Sequence, residues 1–456
     1  MTPSPDRPAV EVADVIRQYG AAFRARYGRA LTAEQRQALR DLARCRTAAL
    51  GGHLDRCLDC GHDRPAYNSC RNRHCPKCQA LARARWLDRQ AGHLLPVEYY
   101  HLVFTLPAEL SELARSNPTV VYDLLFRAAA GAVRAVAADP KHLGACPGLL
   151  LVLHTWGQTL QLHPHIHGVV TGGGLSCDAD GRIDTAARWV SCRPGFFLPV
   201  RVLSRAFRGQ YLVGLRRAHA GGKLRLAGKL RPLADPAAFH AFLRPLSEKD
   251  WVVYAKPPFG GPAQVLKYLA RYAHRVAISN HRLLWVDGGR VAFRYKDYAA
   301  GGREKVVDVD AVEFLRRFVQ HVLPAGFVKT RHYGLLANRV RDERLARCRL
   351  LLSAMAVRAA AAPPSGVAPG AAAGGSSPSR SRRTRVPVPV GTRRRRRPAG
   401  SANRRTDPPD RERGGARRLL RDSPTGLDRG SGEGRSWRVR EVRRPGMRLS
   451  RRPGLG

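Results

Sequence analysis

"LQLHPHIHGVV" (residues 160–170) is the stretch on which the reading of the chain turns. His163, His165 and His167 occupy every second position between apolar neighbours. Alternate residues of a strand share a face, so His165 and His167 point together, as two ligands of one ion must. His163 lies on that face too unless Pro164 breaks the pattern. On its own the stretch reads equally well as a half-buried strand that carries histidines. Its surroundings are strand-like: "YYHLVFTL" (99–106) and "GLLLVLHTW" (148–156) are short and rich in aromatic, β-branched or leucine residues. Between them "VVYDLLFRAAAGAVRAVA" (120–137) repeats apolar residues at helical spacing. "VVTGGG" (169–174) reads as a turn, and 193–250 as basic helices. The order strand, helix, strand, strand predicts an α+β fold with an antiparallel sheet.

The 456 residues are enough for two or three domains with real cores. The net charge is +45 and the pI about 11.3. Self-repulsion on that scale points to a polyanionic partner, nucleic acid ahead of an anionic membrane surface. The longest apolar run, "GLLLVL" (148–153), is strand-sized, and "MTPSPDRPAV" lacks the apolar stretch of a secretory signal. The expected location is intracellular, with no membrane partner.

Cys45, Cys57, Cys60, Cys70, Cys75 and Cys78 crowd into one block. In a reducing compartment such a cluster reads as metal binding. Cys57-x2-Cys60 and Cys75-x2-Cys78 are separated by fourteen residues, so two knuckles can converge on one tetrahedral Zn²⁺. The expected structural zinc ligands are therefore Cys57, Cys60, Cys75 and Cys78. Cys45, Cys70, His53, His62 and His74 are left as spare ligands for a second site. Arg71, Arg73 and Lys77 beside the block fit contacts to phosphates, and equally a solvated surface.

"GGPAQVLKYLARYAHR" (260–275) reads as a helix, with Pro262 suited to its first turn. Gln264, Tyr268 and Tyr272 then fall on one face. Tyrosines one turn apart beside Lys267 offer two phenol nucleophiles, although half-buried tyrosines on helices are common.

His-hydrophobe-His on a strand followed by Tyr-x3-Tyr on a helix resembles the two-tyrosine HUH endonucleases. More narrowly, the chain resembles the insertion-sequence-91 family of rolling-circle transposases. The resemblance rests on "GGHLDRCLDCGH", "YNSCRNRHCPKCQ", "HTWGQTLQLHPHIHGVVTGGG", "FFLPVRVLSRAFRG", "VLKYLARYAHRVAISNHRL", "VAFRYKDY" and "EFLRRFVQHVLPAGFVKTRHYGLLANR", in the family's order, over residues 40–350. It implies that His165 and His167 hold a divalent ion, Mg²⁺ or Mn²⁺. It also implies that Tyr268 and Tyr272 are the nucleophiles. One phenolate attacks a phosphodiester of single-stranded DNA and keeps the 5′-phosphate as a phosphotyrosine, which frees a 3′-OH. The fold it implies is an RRM-like palm, and the setting a bacterial cytoplasm in contact with the nucleoid through DNA. Two histidines rarely complete a site, so a third ligand is expected. His154, eleven residues before His165, is the first choice because a hairpin brings it alongside; Gln264 and then His163 follow.

The expected organisation is a helical, zinc-binding DNA-binding domain (1–95), a catalytic domain (96–350) and a disordered basic tail (359–456). The tail has 25 Arg against 7 Asp and Glu and no Lys, Phe, Tyr or Ile, a composition that cannot offset the entropy of ordering. It lacks the further Cys-x2-Cys segment of the family and reads like a GC-rich gene translated out of frame. The basic segments 216–231 and 329–339 are expected to contact the DNA backbone. Two other functions fit parts of the sequence: a zinc-dependent DNA-binding protein without catalysis, such as a regulator or transposase relic, and a rolling-circle replication initiator or relaxase. The histidine and tyrosine pairs together separate a strand-transferring enzyme from the first of these. The absence of HExxH or paired carboxylates disfavours a zinc hydrolase or two-metal nuclease.

Overall fold

The computed structural model describes residues 8–361 and 437–442, apart from 179, 184, 257–260, 262, 263, 266, 269–271 and 273. From the N-terminus, α1 (Val12–Tyr27) and α2 (Ala33–Arg44) lead into the hairpin β1 (Gly52–Cys57) and β2 (Asp63–Tyr67) and then α3 (Gln79–Ala91). Next come β3 (Tyr99–Thr105), α4 (Ser111–Ser116), α5 (Pro118–Ala138), β4 (Ala145–Trp156), β5 (Leu162–Ser176) and β6 (Trp189–Ser191). They are followed by α6 (Val200–Ala220), α7 (Pro236–Glu248), β7 (Val253–Lys256), β8 (Leu283–Asp287), β9 (Arg290–Asp297) and β10 (Arg303–Asp310). The last elements are α8 (Ala311–Val319), β11 (Thr330–Gly334), α9 (Arg341–Ala361) and β12 (Trp437–Val442). Among the described residues no helix is long and apolar enough to cross a membrane.

The histidine stretch lies at the centre of the main sheet, whose order is β11-β4-β5-β3-β7 with β6 beside β5. Every pairing is antiparallel, as the α+β reading requires. Period-two alternation gives this sheet two different faces. Leu102, Phe104, Leu149, Leu151, Leu153, Ile166 and Val170 are buried in one core with Leu125 and Val133 of α5 and Phe207 and Tyr211 of α6. Tyr99, Leu150, Val152 and Val169 form a second cluster with Val265, and Trp86, Leu87 and Tyr268 pack against it. On β4 and β5 the second set continues, two residues at a time, into His154, His167 and His165. The sheet thus turns its histidines toward the segment that carries the tyrosines.

"VVTGGG" is not a turn. Gly172, Gly173 and Gly174 lie inside β5. A Cβ there would come within 2.9 Å of the Glu98 carbonyl oxygen, 2.5 Å of that of Val190 and 2.4 Å of that of Cys146. The glycines admit a close approach of neighbouring backbone, a use that local sequence does not distinguish from turn formation.

The N-terminal helices do not stand apart at residue 95. Val12, Ile16, Phe23, Leu39 and Leu42 share a core with Phe293, Phe314 and Phe318 of β9 and α8. The Val12 amide donates to the buried Asn280 Oδ1 at 3.1 Å. Thr32 caps α2: Thr32 Oγ1 accepts from the Gln35 amide, and Gln35 Oε1 accepts from the Thr32 amide.

Two short pieces of the expected tail lie among the described residues. Residues 359–361 continue α9, and β12 adds to β1 with the register Gly52↔Val442 to Cys57↔Trp437. Backbone pairing at an open sheet edge does not depend on composition, which is why composition missed this strand. The rest of the expected tail, 362–436 and 443–456, lies outside the described residues, as does Pro262.

Candidate active site and metal centres

Two groups of metal-ligating side chains converge among the described residues: Cys45, Cys70, Cys75 and Cys78, and His154, His165 and His167. Within each, one ligand atom per residue lies within 4.8 Å of the others.

The cysteine tetrad joins the end of α2, the loop before α3 and the N-cap of α3. Cys78 Sγ is 3.3 Å from Cys45 Sγ and 3.6 Å from Cys70 Sγ, and Cys75 Sγ is 3.6 Å from Cys45 Sγ. Contact with Cys70 lowers the Cys45 thiol to about 7 and contact with Cys45 lowers that of Cys78, while contact with Cys45 raises the thiols of Cys70 and Cys75. Four crowded sulfurs, some poised as thiolates, fit a tetrahedral zinc. Two of the ligands differ from those that the spacing predicts: Cys45 and Cys70 take the places expected for Cys57 and Cys60. The hairpin explains the exchange. The Arg46 amide donates to the Asn68 carbonyl and the Asn68 amide to the Gly51 carbonyl, which ties the hairpin's base beside Cys45 and Cys70. Cys57 and Cys60 sit at its tip, a strand length of roughly 20 Å away. Of the other spare ligands, His74 accepts a hydrogen bond from the Leu323 amide, and His53 lies 3.5 Å from Asp55. Arg73 donates to the carbonyls of Leu323, Pro324 and Phe327, and Lys77 pairs with Glu11 at 2.6 Å, so both hold elements together.

The histidine group is set by register. β4 and β5 pair His154 directly with His165, while His167 lies two residues along the same face. The Nε2 atoms of His165 and His167 are 3.1 Å apart. His165 Nδ1–H donates to the His163 carbonyl at 2.7 Å, leaving Nε2 as a lone-pair donor to an ion. His154 Nε2–H donates to the Tyr272 carbonyl at 2.9 Å, leaving Nδ1. Such partners orient metal-bound imidazoles. Burial lowers all three pKa values, to about 4 for His165 and about 2 for His167, so the rings are neutral and able to bind a metal. Three neutral imidazoles fit an ion such as Mn²⁺ better than the harder Mg²⁺. The expected third ligand, His154, converges with the pair. His163 does not join them, although its carbonyl positions His165, and Gln264 is exposed.

Both tyrosines meet this group. The Tyr268 and Tyr272 rings stack at 4.3 Å, and the Tyr272 ring lies 4.6 Å from that of His167. Tyr268 Oη is 2.5 Å from His101 Nε2 and 3.1 Å from His167 Nδ1. His101 Nε2 is itself 3.0 Å from His167 Nδ1. Burial raises the Tyr268 phenol well above its ordinary value and lowers His101 to about 4. Sequence reasoning missed His101. Its position in "YYHLVFTL" gave a period-two signal, but the pairing of β3 with β5, which brings it beside His167, is a long-range property. A cavity of about 310 Å³ opens over the histidines, lined also by Tyr272, Arg275, Arg282 and Tyr298, with no Asp or Glu in its walls among the described residues.

The expected backbone-contact segments divide. Arg216, Arg217, Lys223, Arg225 and Lys229 are exposed. In the second segment Arg331 is bound to Asp123 and lies over the Phe126 ring, while Lys329 Nζ donates to the Arg275 carbonyl.

Comparison with known proteins finds transposases. A family model described as "Putative transposase" matches residues 148–344, which contain both the histidine group and the tyrosines. A second, "Transposase zinc-binding domain", matches residues 15–106, which contain the cysteine tetrad. The chain is 54% identical over 346 residues to "Putative transposase y4qJ" of Sinorhizobium fredii, covering 76% of this chain and 85% of the relative. It is 28% identical over 302 residues to "Transposase for insertion sequence element IS801" of Pseudomonas savastanoi pv. phaseolicola, covering 65% of this chain and 68% of that protein. No solved structure matches the chain.

Proposed function

The chain belongs to the insertion-sequence-91 family of transposases, and from that premise we propose that it cuts and rejoins single-stranded DNA through a 5′-phosphotyrosine intermediate with the help of a divalent ion. The observation that carries the reading is the meeting of two stacked tyrosines with a three-histidine group beside a cavity walled by Arg275 and Arg282. His154, His165 and His167 would hold the ion. When bound, it supplies positive charge that polarises the phosphate oxygens.

The residues of the chain do the rest. Arg275 and Arg282 draw the phosphate into the cavity and balance its charge. Burial raises the Tyr268 phenol, so at neutral pH its attack needs a proton acceptor. His101 Nε2 is that acceptor. The Tyr268 oxygen bonds to phosphorus, its proton passes to His101, the bond from phosphorus to the 3′-oxygen breaks, and the 3′-oxygen takes a proton from water. In the reverse sense a 3′-OH attacks the phosphotyrosine and rejoins the strand. Tyr272 gives a second phenol within stacking distance, so one strand can remain attached while another is cut. The cysteine tetrad holds a structural zinc that joins α2 to α3, and the exposed basic face of residues 216–231 binds phosphates along the strand.

The test is incubation of the protein with Mn²⁺ and a labelled single strand from the end of its element. A covalent adduct that survives denaturing electrophoresis is expected; DNA binding with no adduct would instead favour a non-catalytic DNA-binding protein.

A further inference from the structure

A second cavity, of about 280 Å³, adjoins the histidine cavity, with Trp156 and Arg275 lining both. Its walls include Trp86 of α3, His274 just beyond the tyrosines, and Lys329. The Trp86 and His274 rings meet edge-on at 5.6 Å. Lys329 Nζ lies 5.4 Å over the Trp156 ring, whose plane also stacks on His154 at 4.6 Å. Among the described residues no Asp or Glu lines this cavity. Burial, and then the charges of Arg73 and Arg275, lower the Lys329 ammonium to about 7, the mark of cations gathered without an anion among them.

Aromatic walls, neighbouring cations and no acidic group are the chemistry of a site for one nucleotide of a single strand. The base finds π faces and edges, and the adjoining phosphates find positive charge. The cavity is about the size of a single nucleoside and below that of larger ligands. We propose that it takes one unstacked base of the strand being cut, next to the phosphate that lies over the histidines. The proposal rests on the strand-cutting reading above. It also gives the zinc block a part in the site. α3 starts at the tetrad ligand Cys78 and carries Trp86, so the zinc fixes one wall of the base pocket.

The test is binding of the full chain to two fluorescent probes by anisotropy: an oligothymidylate of about fifteen nucleotides and an abasic strand of the same length. The unmodified protein should prefer the oligothymidylate roughly tenfold, the scale of one base–aromatic stack. Trp86→Ala should lose most of that preference with little change toward the abasic strand, and Trp86→Phe should keep it. Because Trp86 also packs against the sheet, a second variant is needed. Val328 lines the cavity and is 57% exposed, so Val328→Trp can fill the pocket without disturbing the core. It too should abolish the preference. Unchanged preference in a folded Val328→Trp protein overturns the proposal, whatever Trp86→Ala does. Base preference that depends on these residues, in a protein that forms no covalent adduct, keeps the pocket and discards the strand-cutting reading. Adduct formation without such a preference does the opposite.

Discussion

Tyr268 Oη and His101 Nε2, 167 positions apart in sequence, lie 2.5 Å from one another. The pair joins the tyrosine segment to β3, and in the proposed mechanism it provides the buried phenol with a proton acceptor. His101→Gln keeps a hydrogen-bonding side chain but removes the base. In a Tyr272→Phe background, where Tyr268 is the remaining nucleophile, the rate of adduct formation should fall about 100-fold with single-strand affinity unchanged. An unchanged rate in quench-flow or gel time courses would remove His101 from the mechanism.

The metal assignment predicts a ranking. Three imidazoles without a carboxylate favour Mn²⁺ over Mg²⁺. Titration calorimetry should show tighter Mn²⁺ binding. His154→Ala and His167→Ala should each weaken it by ten- to a hundredfold or more, whereas Gln264→Ala should not. Equal Mn²⁺ affinity in His154→Ala would return the third ligand to Gln264 or to another side chain.

Much of this site was legible in the sequence, and the limits have physical causes. Strand alternation placed His165 and His167 on one face, and the eleven-residue spacing placed His154 opposite His165, because local periodicity and hairpin geometry govern both. His101 and the converging cysteine tetrad depended on long-range pairing. The β3–β5 register is not written in either strand alone, and Cys45 meets Cys70 because a hairpin closes between them. The glycines of "VVTGGG" misled for a related reason: the same residue type serves a turn and a crowded strand, and only the neighbours distinguish them.

The exchange of zinc ligands is directly testable. Cys45→Ser or Cys70→Ser should release the metal, measured by elemental analysis of the purified protein, and should lower the melting temperature by several degrees or prevent folding. Cys60→Ser at the exposed hairpin tip should keep zinc content and stability. The reverse pattern would restore the ligand set that the spacing predicts.

Buried histidines also predict acid sensitivity. His101, His165 and His321 are depressed to about 4 in the folded chain, chiefly by burial, against an ordinary value of about 6.5. Between those values the unfolded chain binds more protons, so stability rises with pH. Stability is therefore complete above about pH 6.5 and declines as pH falls toward 4, by on the order of 3 kcal/mol for a fully buried ring such as His321. Urea unfolding followed by circular dichroism across pH 4–7 checks this, and a flat profile would contradict the buried neutral cluster.

In the proposed mechanism Tyr268 and Tyr272 carry the cut strand. The most direct measurement is mass spectrometry of peptides from protein incubated with Mn²⁺ and a single strand from its element's end, beside the Tyr268→Phe, Tyr272→Phe and double variants. The account predicts a 5′-phosphate nucleotide on one of these two tyrosines, reduced in each single variant and absent from the double. An adduct that persists in the double variant, or none in the unmodified protein while it still binds the strand, would contradict it.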